Sequence, residues 1–230
     1  MRAASIRFRE PMATIPENPV SPREFIEDVV PALFADADVA TLGHDDFDYK
    51  VGVLLSGDDG GAWTLHFVGA ELGILSEHAA NCHVTIVQSV ADWRAALWEG
   101  RPALVADGVN ALREGGVSGL RAARGADMTQ GNPAALRELE NLPGRIDAIV
   151  AGEEDPDWSV GIHIGPGPIA EEPAATIRIG ATEADALRTG ELHPLEALMT
   201  GQLRLVGVFG LILQLQAIAM AASMPPPPST

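Results

Sequence analysis

With one cysteine, Cys82, in 230 residues there is no intrachain disulfide to draw on. The fold must be held by burial and backbone pairing, which suits a reducing compartment. Lysine is almost missing as well: Lys50 is the one lysine among 15 basic side chains, and these stand against 32 Asp and Glu for a formal charge of −17. Such a charge repels phosphate backbones and anionic headgroups, so no nucleic acid and no electrostatic membrane docking is expected. No apolar run of signal-peptide length follows the basic start Met1–Glu10, and none reaches the roughly 20 residues of a membrane-spanning helix. A cytoplasmic protein without stable membrane insertion is the expectation.

Catalytic and cofactor signatures are also lacking. There is no Walker loop, no Gly-x-Gly-x-x-Gly after a strand and no Gly-x-Ser-x-Gly elbow. Gly57-Asp58-Asp59-Gly60-Gly61 lacks the alternating ligands and distal glutamate of a calcium loop and reads as a turn. His66, His78, His163 and His193 have no histidine partner at metal-ligand spacing. Cys82 and His83 are neighbours on a strand and face opposite sides, so they do not form a nucleophile and base together. No cofactor and no metal is expected. The densest titratable cluster is His44-Asp45-Asp46 with Asp48, where a histidine beside carboxylates would suit acid/base work of a hydrolase or isomerase kind, but a polar loop ahead of a strand accounts for it.

What the chain does have is 47% hydrophobic residues, ample for a core. Its most apolar stretch is Phe209–Ala221, reached through Thr200-Gly-Gln-Leu-Arg-Leu-Val-Gly207. As a helix, Gln214 and Gln216 stand about 200° apart, so no polar face is left for water. At about 1.5 Å per residue it is short of a bilayer core. It must be covered by the protein's own sheet, a partner or an apolar ligand.

Upstream, Ser21-Pro22 with Glu24 is a capping box opening a helix with Phe25, Ile26, Val29 and Leu33 on one stripe, and Pro31 predicts a kink or stop near Val30. From Tyr49 the period becomes two: Tyr49, Val51, Val53 and Leu55, a turn, then Trp63, Leu65 and Phe67, a β-hairpin. Strands over 69–76 and 82–88 follow, then a helix over 90–98 stopped by Gly100. The same order returns. Expected strands are 146–150, 158–164, a short 168–171 and 175–179, followed by a helix closing at Gly190. Trp63-Thr-Leu-His-Phe matches Trp158-Ser-Val-Gly-Ile, and Ser118-Gly-Leu-Arg-Ala-Ala-Arg-Gly125 matches Thr200–Gly207 as a strand, so a duplication is expected. Asn132-Pro133 caps a helix between the copies, and Pro225–Pro228 begins a tail that cannot be helical.

Ala175-Thr176-Ile177, the stop at Gly190, Thr200-Gly201-Gln-Leu203-Arg-Leu-Val-Gly207 and the apolar run Phe209–Ala221 together resemble the lipid-binding domain of the sterol carrier protein 2 family. The match covers residues 132–222 as one copy and, less fully, 22–131 as another, with 1–21 an N-terminal arm and 223–230 a Pro-rich tail. The resemblance implies an α+β fold of antiparallel sheets flanked by helices, the two copies forming a pseudo-dimer. It further implies a binding protein without catalysis, whose partner is an apolar small molecule or lipid (fatty acyl or sterol-like) held in a cavity closed by the last helix. On the second copy the wall would be Val160, Ile162, Ile177 and Leu205 on the sheet, with Phe209, Ile212, Leu213 and Met220 on the helix. Pockets and cores draw on the same residues. The alternative is a structural or partner-binding protein that buries this helix in a subunit interface, and a homodimer fits either reading.

Overall fold

The computed structural model describes residues 13–35, 48–124 (115–124 by their backbone alone) and 144–208. The alternation that begins at Tyr49 builds the hairpin it predicts, β1 (Asp48–Ser56) and β2 (Gly61–Val68), with Val53 opposite Trp63 and Val51 opposite Leu65. Strands β3 (Glu71–Leu75) and β4 (Val84–Ser89) complete the first half. The second half supplies β5 (Gly144–Ala151), β6 (Trp158–Ile164), β7 (Ala175–Gly180) and β8 (Leu203–Gly207). All eight join one sheet in the order β3-β2-β1-β4-β6-β5-β7-β8.

The sheet is mixed, where purely antiparallel pairing was expected: β1 runs parallel to β4 and β5 parallel to β7, and the remaining neighbours are antiparallel. The reason is connectivity. A strand that follows a hairpin and returns beside its first strand, after a crossing segment, arrives in the same direction as that strand. This happens twice in the same register, Val51–Ser56 beside Val84–Ser89 and Ile146–Ala151 beside Ala175–Gly180. Each return strand then passes straight into a nine-residue helix, α2 (Val90–Trp98) or α4 (Ala181–Thr189).

Helix α1 covers the first half of the sheet. It opens on Ser21, whose Oγ accepts from the Glu24 N–H at 3.1 Å, and runs as α-helix over Pro22–Glu24, π-helix over Phe25–Val29 and α-helix over Val30–Ala35. Pro31 therefore does not stop it. The Val30 N–H reaches back five residues to the Phe25 carbonyl, and this wide turn takes up the misfit that a proline ring creates in a regular helix. Phe25, Ile26, Val53, Leu65, Trp63 and Trp93 form the largest cluster of buried side chains. Within it the Phe25, Trp93 and Trp98 rings meet edge to face, at 5.2 to 5.9 Å between centroids. Ile15 is buried in the same core and the Trp98 indole donates to the Pro16 carbonyl, so residues just ahead of α1 lie on the body.

Several expectations are corrected. Residues 118–124 are not a strand: they continue α3 (Ala103–Arg124), whose Val105, Val109 and Leu112 fall at helical spacing and pack on the first core. The glycine spacing that matched Thr200–Gly207 is shared by two different backbones. The edge of β4 that such a strand would have taken is filled by β6 of the second half, just as β8 fills the edge of β7. No strand forms over 168–171. A short helix, α5 (Pro194–Met199), capped by the His193 ring, precedes β8 and had no expected counterpart. Trp63 and Trp158 are not register equivalents, since Trp63 faces Val53 while Trp158 faces Val150, the counterpart of Leu55, two residue pairs nearer the turn of its hairpin. The Asn132-Pro133 helix and the apolar stretch Phe209–Ala221 lie outside the described residues, as do His44, Asp45 and Asp46.

Candidate functional site

Because side chains alternate across a strand, register decides which residues share a face. Val160, Ala148, Ile177 and Leu205 form one row across β6, β5, β7 and β8, with Ile162, Ile146, Ala175 and Gly207 as the next. The four sheet residues expected on the ligand wall thus lie together on one face. Ile86 of β4 stands opposite Ile162, so the apolar surface runs on into the first half. Phe209, Ile212, Leu213 and Met220 fall outside the described residues.

The two halves of this face are covered differently. In the first, α1, α2 and α3 bury Trp63 to 4% exposure, with Val53 and Leu55 beside it. In the second, α4 covers the end where Val150, Ile179 and Ala184 are buried with Trp158, Leu187 and Leu203 around them. Toward the other end Ile146 and Ala175 are buried among Ile164, Ala174 and Ile177, but Ile162 is 41% exposed and Val160, Ile177 and Leu205 are half-buried. An isoleucine left in water in mid-sheet forgoes part of the roughly 1.5–3 kcal/mol that full burial supplies. Ala148, the small residue amid this row, lowers the floor between Val160 and Ile177. Ala148 and Ile86 are the positions that sequence reasoning missed. Strand alternation sets Ala148 with Ile146 and Val150 and Ile86 with Val84, but only register shows that they adjoin the expected wall.

The opposite face is polar and partly closed by chain segments. Thr64 and Thr85 are fully buried there; the Ala79 N–H donates to Thr64 Oγ1, and His78 Nε2 lies 2.9 Å from Thr85 Oγ1. Cys82 is buried with its Sγ 3.8 Å from Thr64 Oγ1, enclosed and without a histidine base on it. His163 on β6 sits between Thr85 of β4 and Arg145 of β5, 6% exposed, and neither ring nitrogen has a hydrogen-bond partner. Burial first, and the neighbouring His78 second, hold its pKa below the usual histidine value. Arg145 is occupied by a two-point bond to Asp147, both contacts 2.7 Å.

Open surface hollows among the described residues lie elsewhere. One of about 400 Å³ beside Glu27 is shaped by bonds from Trp63 Nε1 (3.1 Å) and Ser76 Oγ (2.8 Å) to the Glu27 carboxylate. These two bonds, Ser76 first, hold that carboxyl below the usual glutamate range. A second, about 370 Å³, lies between Arg178, Arg204 and Glu183 at the start of α4, with Arg178 bonded to Asp157 at 2.7 Å. The third, about 420 Å³, is flanked by Asp48, Lys50, Cys82 and His83; nearby, the Asp48 carboxylate lies 2.8 Å from His66 Nε2, a bond that holds its pKa down. Among the described residues no group of three or more His, Cys, Asp or Glu is placed to hold a metal ion, and no helix is long and apolar enough to cross a membrane.

No family model and no curated protein matches the chain. Among solved structures it is similar in part to three sterol carrier proteins. Sterol carrier protein 2 like 2 from Aedes aegypti is 15% identical, with 39% of this chain and 97% of that one covered, at a TM-score of 0.26. Sterol carrier protein domain 2 of Helicoverpa armigera is 20% identical, covering 44% and 84%, at 0.32. Apo sterol carrier protein 2 from Yarrowia lipolytica is 15% identical, covering 53% and 88%, at 0.28.

Proposed function

We propose that the protein binds an apolar ligand, a fatty acyl, sterol-like or other lipid molecule, without covalent chemistry. The ligand lies between the apolar face of the second half and the segment Phe209–Ala221. The observation that carries this reading is the contrast between the two halves of one face: three helices bury it over β1 and β2, while Ile162 stays 41% exposed over β6. The chain leaves the end of β8 beside this surface, with Val208 as the last described residue, and continues with its most apolar stretch. Two apolar surfaces that meet leave room for a third apolar body where the floor is lowered, at Ala148. Phe209, Ile212, Leu213 and Met220 form the far wall, opposite Val160, Ile162, Ile177 and Leu205.

The same reading divides the chain into two copies, residues 22–131 and 132–222, flanked by an arm and a tail, with the second as the binding copy and the first as its scaffold. Supporting the duplication are the two return strands in matched register, each leading into a nine-residue helix.

Uptake of a fluorescent fatty acid tests the binding site. Ile162→Glu, Ile177→Glu and Leu213→Glu should each abolish uptake in a folded protein. Val206→Glu, on the opposite face at an exposed position, should leave it unchanged. Uptake that survives all three wall substitutions overturns the site. One rival is favoured by the same exposed isoleucine, burial of this face in a subunit interface. A mass that halves on dilution, with no lipid co-purifying in native mass spectrometry, would establish that rival instead.

A further inference from the structure

Within the sheet the two halves join along one strand pair, β4 with β6, from Val84 opposite Ile164 to Val87 opposite Gly161, and outside it α3 packs against α4. Contacts on either side reinforce it. The Gly165 N–H donates to the His83 carbonyl at 2.8 Å, Gln88 Nε2 donates to the Ser159 carbonyl at 2.9 Å, and the Trp158 indole donates to the Asp92 carbonyl at 2.8 Å. All of these are neutral bonds that pH does not touch between 5 and 8. The exception on this strand pair is His163, opposite Thr85, buried with both ring nitrogens unbonded.

We propose that His163 makes the β4–β6 junction acid-labile: as the neutral imidazole it packs in the junction, and as the imidazolium it drives the strands apart. A neutral histidine tolerates its site because only one N–H and one lone pair go unmet. An imidazolium would carry two unmet donors and a full charge into the same enclosure, which is far more costly.

Among the described residues the surroundings offer no free carboxylate to receive that charge. On the same side of the sheet β4 presents Thr85 and Val87, both uncharged. From β5 come Arg145, itself a cation, and Asp147, whose carboxylate oxygens both bond Arg145. The segment ahead of β4 brings His78, bonded to Thr85 and an unfavourable neighbour for a charged His163, with Glu77, Cys82 and His83 along the same segment. The segment after β6 brings Glu171 and Glu172, and of these Glu171 offers its backbone carbonyl to Arg145. Opening the junction gives His163 water in their place.

The sign follows directly. In the open state the ring has the ordinary histidine pKa of about 6.5, and in the closed state a lower one. Above about 6.5 the junction has its full stability. As the pH falls below that value the open state gains a proton that the closed state refuses, and the opening constant rises by up to about tenfold per pH unit until the closed-state pKa is reached.

The test is hydrogen exchange of the full chain at about pH 7.5, 6.5 and 5.5, corrected for the intrinsic pH dependence of exchange, reading β6 amides against the turn end of the β1–β2 hairpin, Val53–Leu55 with Gly61–Trp63, which carries no histidine, as an internal reference. In the unmodified protein, protection over 159–164 should fall by up to about fivefold between pH 6.5 and 5.5 while that reference is unchanged. His163→Leu and His163→Gln should keep their protection at pH 5.5. Flat protection in the unmodified protein, or an equal fall in the two variants, overturns the proposal. If neither variant folds, the imidazole is titrated directly by NMR, and a His163 pKa at or above about 6.5 overturns it equally.

Discussion

Trp63 shows how one side chain serves two environments. Its ring is in the core with Val53 and Leu65, and its indole N–H reaches the Glu27 carboxylate at the surface, 3.1 Å away. Truncation to alanine removes the ring's buried area, leaves a cavity among side chains fixed by the sheet, and strips Glu27 of a donor. Trp63→Ala should therefore cost about 3–5 kcal/mol in urea unfolding. Trp158, though also on the apolar face, is half-buried and its N–H serves the α2 backbone, so its truncation should cost less. A cost below about 1 kcal/mol at Trp63, typical of exposed sites, would invert the face assignment. At this scale the sequence was readable wherever alternation was strict. It could not reveal that the two tryptophans occupy different register positions, because register depends on which residues pair, and pairing is set by the partner strand.

Elements that end on a backbone demand were legible too. Gly190 closes α4 with φ of 79°, the left-handed cap that a glycine after a helix announces. Gly207 is more consequential. It has φ of 149°, and a Cβ there would fall 2.3 Å from the Ala174 carbonyl oxygen and 2.6 Å from the Ala175 Cα, which are backbone atoms and cannot swing away. Gly207→Ala should therefore detach the end of β8 from β7. Its signature would be a lowered Tm and loss of protection at the Val208 N–H, which donates to the Ala174 carbonyl at 3.0 Å. An unchanged Tm and full protection would show that β8 relaxes around the new methyl. The glycine spacing misled, in contrast, at Ser118–Gly125. Two glycines six residues apart fit a strand or a long helix, and the apolar stripe of Val105, Val109 and Leu112 upstream carried α3 through.

Across the whole molecule the net charge of −17 is the dominant long-range force. Among the described residues four of the nine ion pairs are local, such as Arg23 with Glu27 and Arg188 with Asp185, while Arg188 with Asp107 and Arg101 with Asp155 tie the two halves together. With acids in twofold excess the self-repulsion outweighs what exposed pairs return, so added salt should stabilise the fold. Tm should rise between about 0.05 M and 0.5 M sodium chloride; a fall would mean that the ion pairs, including the two between halves, matter more than the excess charge.

Composition and period by themselves determined an α+β chain with two similar strand sets, the hairpins, the caps at Ser21 and Gly190, and the alternation that sets Val160 and Ile162 on one face of their strand. These follow from local rules, in which each residue's preference is read against neighbours a few positions away. Only the tertiary structure decided that the two sets share one mixed sheet, that β6 fills the edge of β4, and that His163 is sealed without a partner at their junction. Those outcomes depend on which strand edges compete for each other across the fold. An open edge is satisfied by whichever strand the chain can bring to it, and no residue on β4 names the one that comes.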